Sequence, residues 1–174
     1  MLVRGFHGTN LVAARKITAE GFVPSANEYD WLGDGAYFFQ DAPRRAFEWA
    51  RELHGPEAAI VGADIELINC MDLLDIEWCS TLTEVHDEFV KKLKAANLPL
   101  PRQSAGAHRL DRAVINYSAG VLAEKGIHIR SVRAAFSEGR PLFPNSALID
   151  RAHVEIAVRD LAVIRHVWLE KMDV

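Results

Sequence analysis

Three short runs carry residue types suited to chemistry on a small ligand. His7 closes an alternating stretch and is followed by Gly8 and Thr9. A glycine there lets a ligand come close to the backbone, whose N–H and C=O can grip an amide. Tyr37 stands in Gly35-Ala36-Tyr37-Phe38-Phe39, where alternation puts Tyr37 and Phe39 on one face and Phe38 on the other. In His153-Val154-Glu155-Ile156-Ala157-Val158-Arg159 the even positions are apolar and β-branched, so they face a core. His153, Glu155, Ala157 and Arg159 then share the opposite face. Each run also has a plain structural reading: a strand-end histidine, an aromatic core strand, and a solvated mid-strand carboxylate. Glu155 gains chemical interest only where a pocket lies over its face.

Other chemistries find no footing. The seven histidines show no HxxxH or HExxH spacing, so a zinc hydrolase is not expected. No P-loop and no GxSxG elbow occurs, and Gly33-Asp34-Gly35 is too short for a dinucleotide fingerprint. Cys70 and Cys79 lack CxxC spacing and fit two reduced thiols.

The elements that must position these residues follow from caps and periodicity. Asn10 can cap a helix over about 11–19 that stops at Gly21. Asp41 is expected to cap a second helix through His54, with Pro43 in its first turn. Residues 58–67 alternate, with Val61, Ala63, Ile65 and Leu67 on one face. Thr81 and Glu84 have capping-box spacing ahead of the stripe Leu82, Val85, Phe89, Leu93 and Ala96. Pro99–Gly106 reads as a connection to a further helix over about 107–125, with Leu110, Val114, Tyr117 and Val121 on its stripe. Strands are expected near 127–133, 153–159 and 161–169, with a loop from Ser137 to Asp150. The class is α+β in a single domain, with a helical insertion at about 70–126.

The run RGFHGTN, then WLGDGAYFF, then a late strand bearing a glutamate resembles the ADP-ribosyltransferase superfamily. More narrowly it resembles the diphtheria-toxin and poly(ADP-ribose) polymerase branch, whose signature is His, Tyr and Glu on three strands. His7-Gly8-Thr9 and Gly35-Ala36-Tyr37-Phe38 match its two amino-terminal motifs, and Glu155 falls best on the glutamate position. The whole chain resembles small bacterial members used as toxins or in phage defence.

The resemblance implies a split β-sandwich with flanking helices, NAD as co-substrate and no metal. It implies that Glu155 stabilises the developing ribose cation and that His7 and Thr9 contact ribose. Gly8 would pair with the carboxamide, with Tyr37, Phe38 and Trp49 around the nicotinamide; Phe47 competes with Trp49 as the second ring. Arg130 and Arg133 are candidates for the pyrophosphate or for an acceptor phosphate, or else form a solvated strand edge. The acceptor-reading loop would be about 138–149, with Phe143, Pro144 and Asn145 at its tip. The acceptor is left open between protein, small molecule and nucleic acid, and an antitoxin or immunity partner is implied. NAD glycohydrolysis, RNA 2′-phosphotransfer and a non-catalytic NAD-like binding module are the competing readings.

Composition bounds these expectations. The chain has 174 residues, 49% hydrophobic and 25% charged, enough for one real core. Its 20 Lys plus Arg against 24 Asp plus Glu give a net charge of −4, so bulk attraction to nucleic acid or to an anionic membrane is not expected. Neither a signal peptide nor an apolar run of about 20 residues is seen. A cytoplasmic protein with no membrane partner is therefore expected.

Overall fold

The computed structural model describes residues 1–27, 30–104 and 106–172. Its strands are β1 (Leu2–Asn10), β2 (Ala36–Gln40), β3 (Ala58–Glu66), β4 (Cys70–Asp72), β5 (Ser131–Pro141), β6 (Ile149–Val158) and β7 (Ile164–Glu170). The helices are α1 (Leu11–Glu20), α2 (Pro43–His54), α3 (Ile76–Ala95) and α4 (Arg109–Glu124). The strands form one mixed sheet in the order β4-β5-β6-β2-β1-β3-β7, parallel at β4–β5 and antiparallel elsewhere. No described helix is long and apolar enough to cross a membrane.

Both sheet faces are packed, and they are packed differently. On one face α1 brings Ala14 onto Phe38, Val61, Ala63, Ile65, Ile156 and Val158, with Phe22 beside them. The alternation expected for residues 58–67 is thus realised, with Leu67 packing just beyond the end of β3. Phe38 is only 1% exposed, and burying a ring of that size stabilises by about 1.5–3 kcal/mol. The other face carries two separate clusters. Phe6, Phe39 and Ile60 lie under Ala46 of α2, while Met71, Val132, Ala134 and Ala157 lie under Ile115 and Ala119 of α4.

Several boundaries differ from the sequence expectation, each for a local reason. Asn10 does cap α1, its side-chain oxygen accepting from the Ala13 N–H at 2.9 Å. Asp41 does not cap α2. It takes φ +52°, Ala42 occupies the cap position without a side-chain bond, and Pro43 opens the helix. α3 begins earlier than the Thr81–Glu84 spacing suggests, because Asp75 caps it through the Glu77 N–H at 3.0 Å. Thr81 instead donates back to the Glu77 carbonyl at 3.0 Å, as a mid-helix threonine does.

On α4 the buried residues are Val114, Ile115, Ser118 and Ala119, so of the expected stripe Val114 is fully buried while Leu110, Tyr117 and Val121 are only partly so. Tyr117 turns to Phe89 of α3, with ring centroids 5.1 Å apart. Helix–helix packing therefore takes part of the apolar surface of α4. Within the expected helical insertion, Cys70–Asp72 is a strand that joins the main sheet beside β5. Ala105, in the connection after Pro99, lies outside the described residues.

The expected Ser137–Asp150 loop is mostly ribbon. β5 starts at Ser131 rather than near 127 and runs to Pro141, paired with β6 through Ser137↔Ala152, Glu138↔Arg151 and Pro141↔Ile149. Gly139, at φ +89°, sits in the register shift, so it marks a bulge rather than the start of the turn. Near the carboxy terminus, Leu161–Val163 forms a short 3-10 turn before β7 begins at Ile164.

Candidate functional site

His7, Tyr37 and Glu155 lie on β1, β2 and β6, which are consecutive in the sheet. All of Leu2–Asn10 pairs with β3, but only Gly5 and Phe6 pair with β2, opposite Gln40 and Phe39. Beyond Phe6 the two strands part. The Arg4 carbonyl accepts from the Asp41 N–H at 2.9 Å, so alternate residues Arg4, Phe6 and Gly8 direct their backbone groups toward β2. Gly8 is the first of them past the end of the pairing. Its N–H and C=O face the opening.

His7 spans that opening. Its Nδ1 is 2.8 Å from the Tyr37 carbonyl oxygen, which can only accept, so the proton is on Nδ1. The ring packs on Phe22 (5.4 Å) and Phe38 (6.0 Å), on the α1 side of the sheet. Burial pulls its pKa below the ordinary value, partly offset by the Tyr37 carbonyl. Nε2 of the neutral ring is therefore an acceptor, suited to a hydroxyl donor.

Tyr37 and Glu155 occupy the other face. Phe39 pairs with Glu155 and Tyr37 with Ala157, so Glu155 is diagonal to Tyr37 on that face. Glu155 also pairs with Ala134 of β5. Phe39 belongs to the α2 cluster and Ala134 to the α4 cluster, so the carboxylate stands at the seam between them. Its side chain is 20% exposed. The Tyr37 hydroxyl accepts from the Leu32 N–H (2.8 Å) and donates to the Gly33 carbonyl (2.7 Å). Burial, then the negative charge of Asp30, drives its pKa up, so it stays neutral and its ring serves as a fixed flat surface.

The remaining candidates divide. Trp49 lies over Gly8, its Cε3 only 3.2 Å from where a side-chain carbon on Gly8 would sit, and it is 38% exposed. Phe47 packs into the α2 cluster and takes the Arg51 guanidinium at 5.9 Å. Thr9 is buried, and alternation along β1 turns it to the α1 side with His7. Phe38 is a core residue, 4.8 Å from Phe22, and offers no surface to a ligand. Arg130 precedes β5, three strands from β1, and is tied to Asp160 at 2.8 Å. Arg133 is neither a free cation nor a solvated edge. It is buried, bonding Asp72 at 3.0 and 2.5 Å and Gln40 at 3.2 Å.

Sequence reasoning missed the residues that hold this arrangement. Asn116 of α4 accepts from the Asp34 N–H (3.1 Å) and from Arg159 (2.7 Å), and Arg112 binds the Asp34 carboxylate at 2.7 Å. Through these bonds α4 anchors the 31–35 turn, and that turn holds the Tyr37 hydroxyl. Beside it, α3, α4 and β5 enclose a cleft of about 440 Å³ whose walls include Trp31, Leu82, Leu110, Ile115, Ala134 and Phe136. Among the described residues, no group of three His, Cys, Asp or Glu side chains is placed to hold a metal ion. No family model, no curated protein and no solved structure matches the chain.

Proposed function

We propose that the protein is a mono-ADP-ribosyltransferase that cleaves the nicotinamide–ribose bond of NAD and transfers ADP-ribose to a macromolecular acceptor. The observation that carries this reading is the parting of β1 and β2. It leaves the Gly8 backbone edge facing the opening toward β2, the strand that carries Tyr37, with Glu155 diagonal to Tyr37 in the sheet. A planar carboxamide can exchange two hydrogen bonds with such an edge, as a strand partner would. Tyr37 and Trp49 supply aromatic surface for the pyridinium ring. His7 Nε2 can accept from a ribose hydroxyl.

The reaction asks for a group that stabilises positive charge on the ribose as neutral nicotinamide departs. Glu155 is the carboxylate at hand, partly shielded from water, where charge stabilisation is stronger than in bulk. On this reading the one mixed sheet would divide into the two halves of a split sandwich at its short β1–β2 junction. A toxin or defence role, with an antitoxin or immunity partner, remains part of this proposal.

The test is nicotinamide release from NAD by wild type and by Glu155→Gln. Loss of one preorganised charge is expected to lower the rate about 100- to 1,000-fold. Equal rates would remove Glu155 from the chemistry, and no release by wild type would remove the enzyme reading. Label from NAD retained on macromolecules in a lysate separates transfer from hydrolysis.

A further inference from the structure

The buried histidine two residues before Glu155 has acceptors at both ring nitrogens. His153 Nδ1 lies 2.8 Å from the Arg151 carbonyl oxygen and Nε2 lies 3.1 Å from Glu155 Oε1. The Arg151 carbonyl can only accept, so Nδ1 carries a proton; where Nε2 donates to the Glu155 carboxylate as well, the ring is an imidazolium. Its side chain is 1% exposed. The ring is stacked on Phe136 (centroids 5.9 Å apart, 26° between planes), a face that suits a cation, and lies tilted against Phe39 (5.0 Å, 55°).

Resting on the transferase reading, we propose that His153 is the positioning residue of the site. Its doubly donating imidazolium fixes the Glu155 carboxylate in orientation. Glu155 needs such a partner because its strand neighbours, Phe39 and Ala134, offer no donor side chain.

The charged groups around the ring set the balance. From β6 itself come the Glu155 carboxylate and the Arg151 carbonyl. From α2 comes Arg45, whose guanidinium opposes the imidazolium but is committed to Glu138 of β5 (2.5 Å) and Glu48 (3.4 Å). Burial alone would lower the His153 pKa. The Glu155 bond, the Arg151 carbonyl and the Glu155 charge outweigh both burial and Arg45, and the net shift is upward. The imidazolium is present below its raised pKa and is lost as pH rises through it, so Glu155 loses its holder on the alkaline side.

The ring can be read directly, without any catalytic assay. In nitrogen-detected NMR of the wild type, His153 is expected to show both nitrogens protonated and to titrate above 6.5, its ordinary value. In Glu155→Gln its pKa is expected to fall, because burial and Arg45 then act with less opposition. A wild-type ring that titrates below 6.5, or one unmoved in Glu155→Gln, overturns the proposal even if nicotinamide release proves the enzyme reading right.

Kinetics supply the second arm. His153→Phe, which keeps the aromatic stack but no donor, is expected to lower kcat for nicotinamide release about 10- to 100-fold, with KM for NAD within about threefold. His153→Gln keeps one donor and no charge. It is expected to recover part of that loss and to abolish the alkaline fall in the pH profile. The same alkaline fall in His153→Gln as in wild type overturns the proposal. If wild type releases no nicotinamide, the enzyme reading fails on its own and the ring titration still decides whether His153 holds Glu155.

Discussion

His7 Nδ1 bonds the Tyr37 carbonyl across the gap where β1 and β2 separate, at 2.8 Å. A side chain thus replaces the missing backbone pairing and holds the gap at a defined width. His7→Phe, which fills the space without the donor, is expected to cost about 1–3 kcal/mol by stranding that carbonyl, and to raise KM for NAD. His7→Asn retains a donor and should lose less. Urea unfolding and nicotinamide-release kinetics on the two variants check this.

The same residue has a pH signature opposite to that of His153. The unfolded His7 ring takes up its proton near 6.5, and the folded ring only at lower pH. Its contribution to stability is therefore full above 6.5 and is lost as pH falls through the folded value. His153, with its pKa raised, contributes fully below 6.5 and loses that contribution as pH rises through its folded value. The two windows meet near 6.5, so these groups together place a stability maximum there. Urea midpoints across pH 5–8 test it: His7→Asn should flatten the acid side only and His153→Gln the alkaline side only.

Trp49 and Gly8 form the second contact that shapes the opening. A side chain on Gly8 would collide with the Ala46 carbonyl oxygen of α2 and press on Trp49. Gly8→Ala is expected to cost about 1–3 kcal/mol as α2 is displaced. Trp49→Ala, at a partly exposed position, should cost less stability and raise KM for NAD about 3- to 10-fold, the size of one lost aromatic stack. Steady-state kinetics beside thermal melts separate the two effects.

The Arg133–Asp72 pair belongs to the framework. It ties β4 to β5 from inside the sheet, with side chains 11% and 26% exposed. Arg133→Met leaves Asp72 and Gln40 without their donor, and a loss at the low end of roughly 3–5 kcal/mol is expected. Nicotinamide release per folded molecule should be unchanged. A urea titration read by circular dichroism, followed by an assay corrected for folded fraction, tests both statements.

At the tip of the β5–β6 ribbon, Leu142, Phe143 and Leu148 are all more than half exposed. On the transferase reading such an exposed apolar cluster is a candidate contact for the acceptor. Phe143→Ser is expected to change stability by less than about 0.5 kcal/mol and nicotinamide release by less than about twofold. Label transfer to macromolecules should fall about tenfold. Labelled NAD in lysate, with wild type alongside, gives the answer.

Local signals were legible wherever one residue acts on its near neighbours. Asn10 before an apolar run marks α1, Gly21 marks its end, and the Val61-Ala63-Ile65 alternation marks β3. Local signals failed where the partner is distant. Gly139 and Asp150 look like loop residues, yet the Arg140 N–H bonds the Asp150 carboxylate and the ribbon continues through a bulge. Of the expected α4 stripe, Val114 is fully buried, whereas Tyr117 meets Phe89 of α3. His153 was legible in part. Two residues from Glu155 in one strand, it must share that face, but nothing local says that Arg151 and Glu155 would occupy both ring nitrogens.

What the sequence by itself determined is the chemical cast and its alternation: a histidine, a tyrosine and a glutamate on strands, with a glycine beside the first. These follow from short-range sterics and the period of two along a strand. Only the tertiary structure decided that β1, β2 and β6 are neighbours, that β1 and β2 part after Phe6, and that Phe38 is core while Trp49 covers Gly8. Those outcomes depend on which strand edges and which apolar faces find one another across the chain. Each is a competition among many distant partners, settled by burial on two differently packed sheet faces rather than by any local preference.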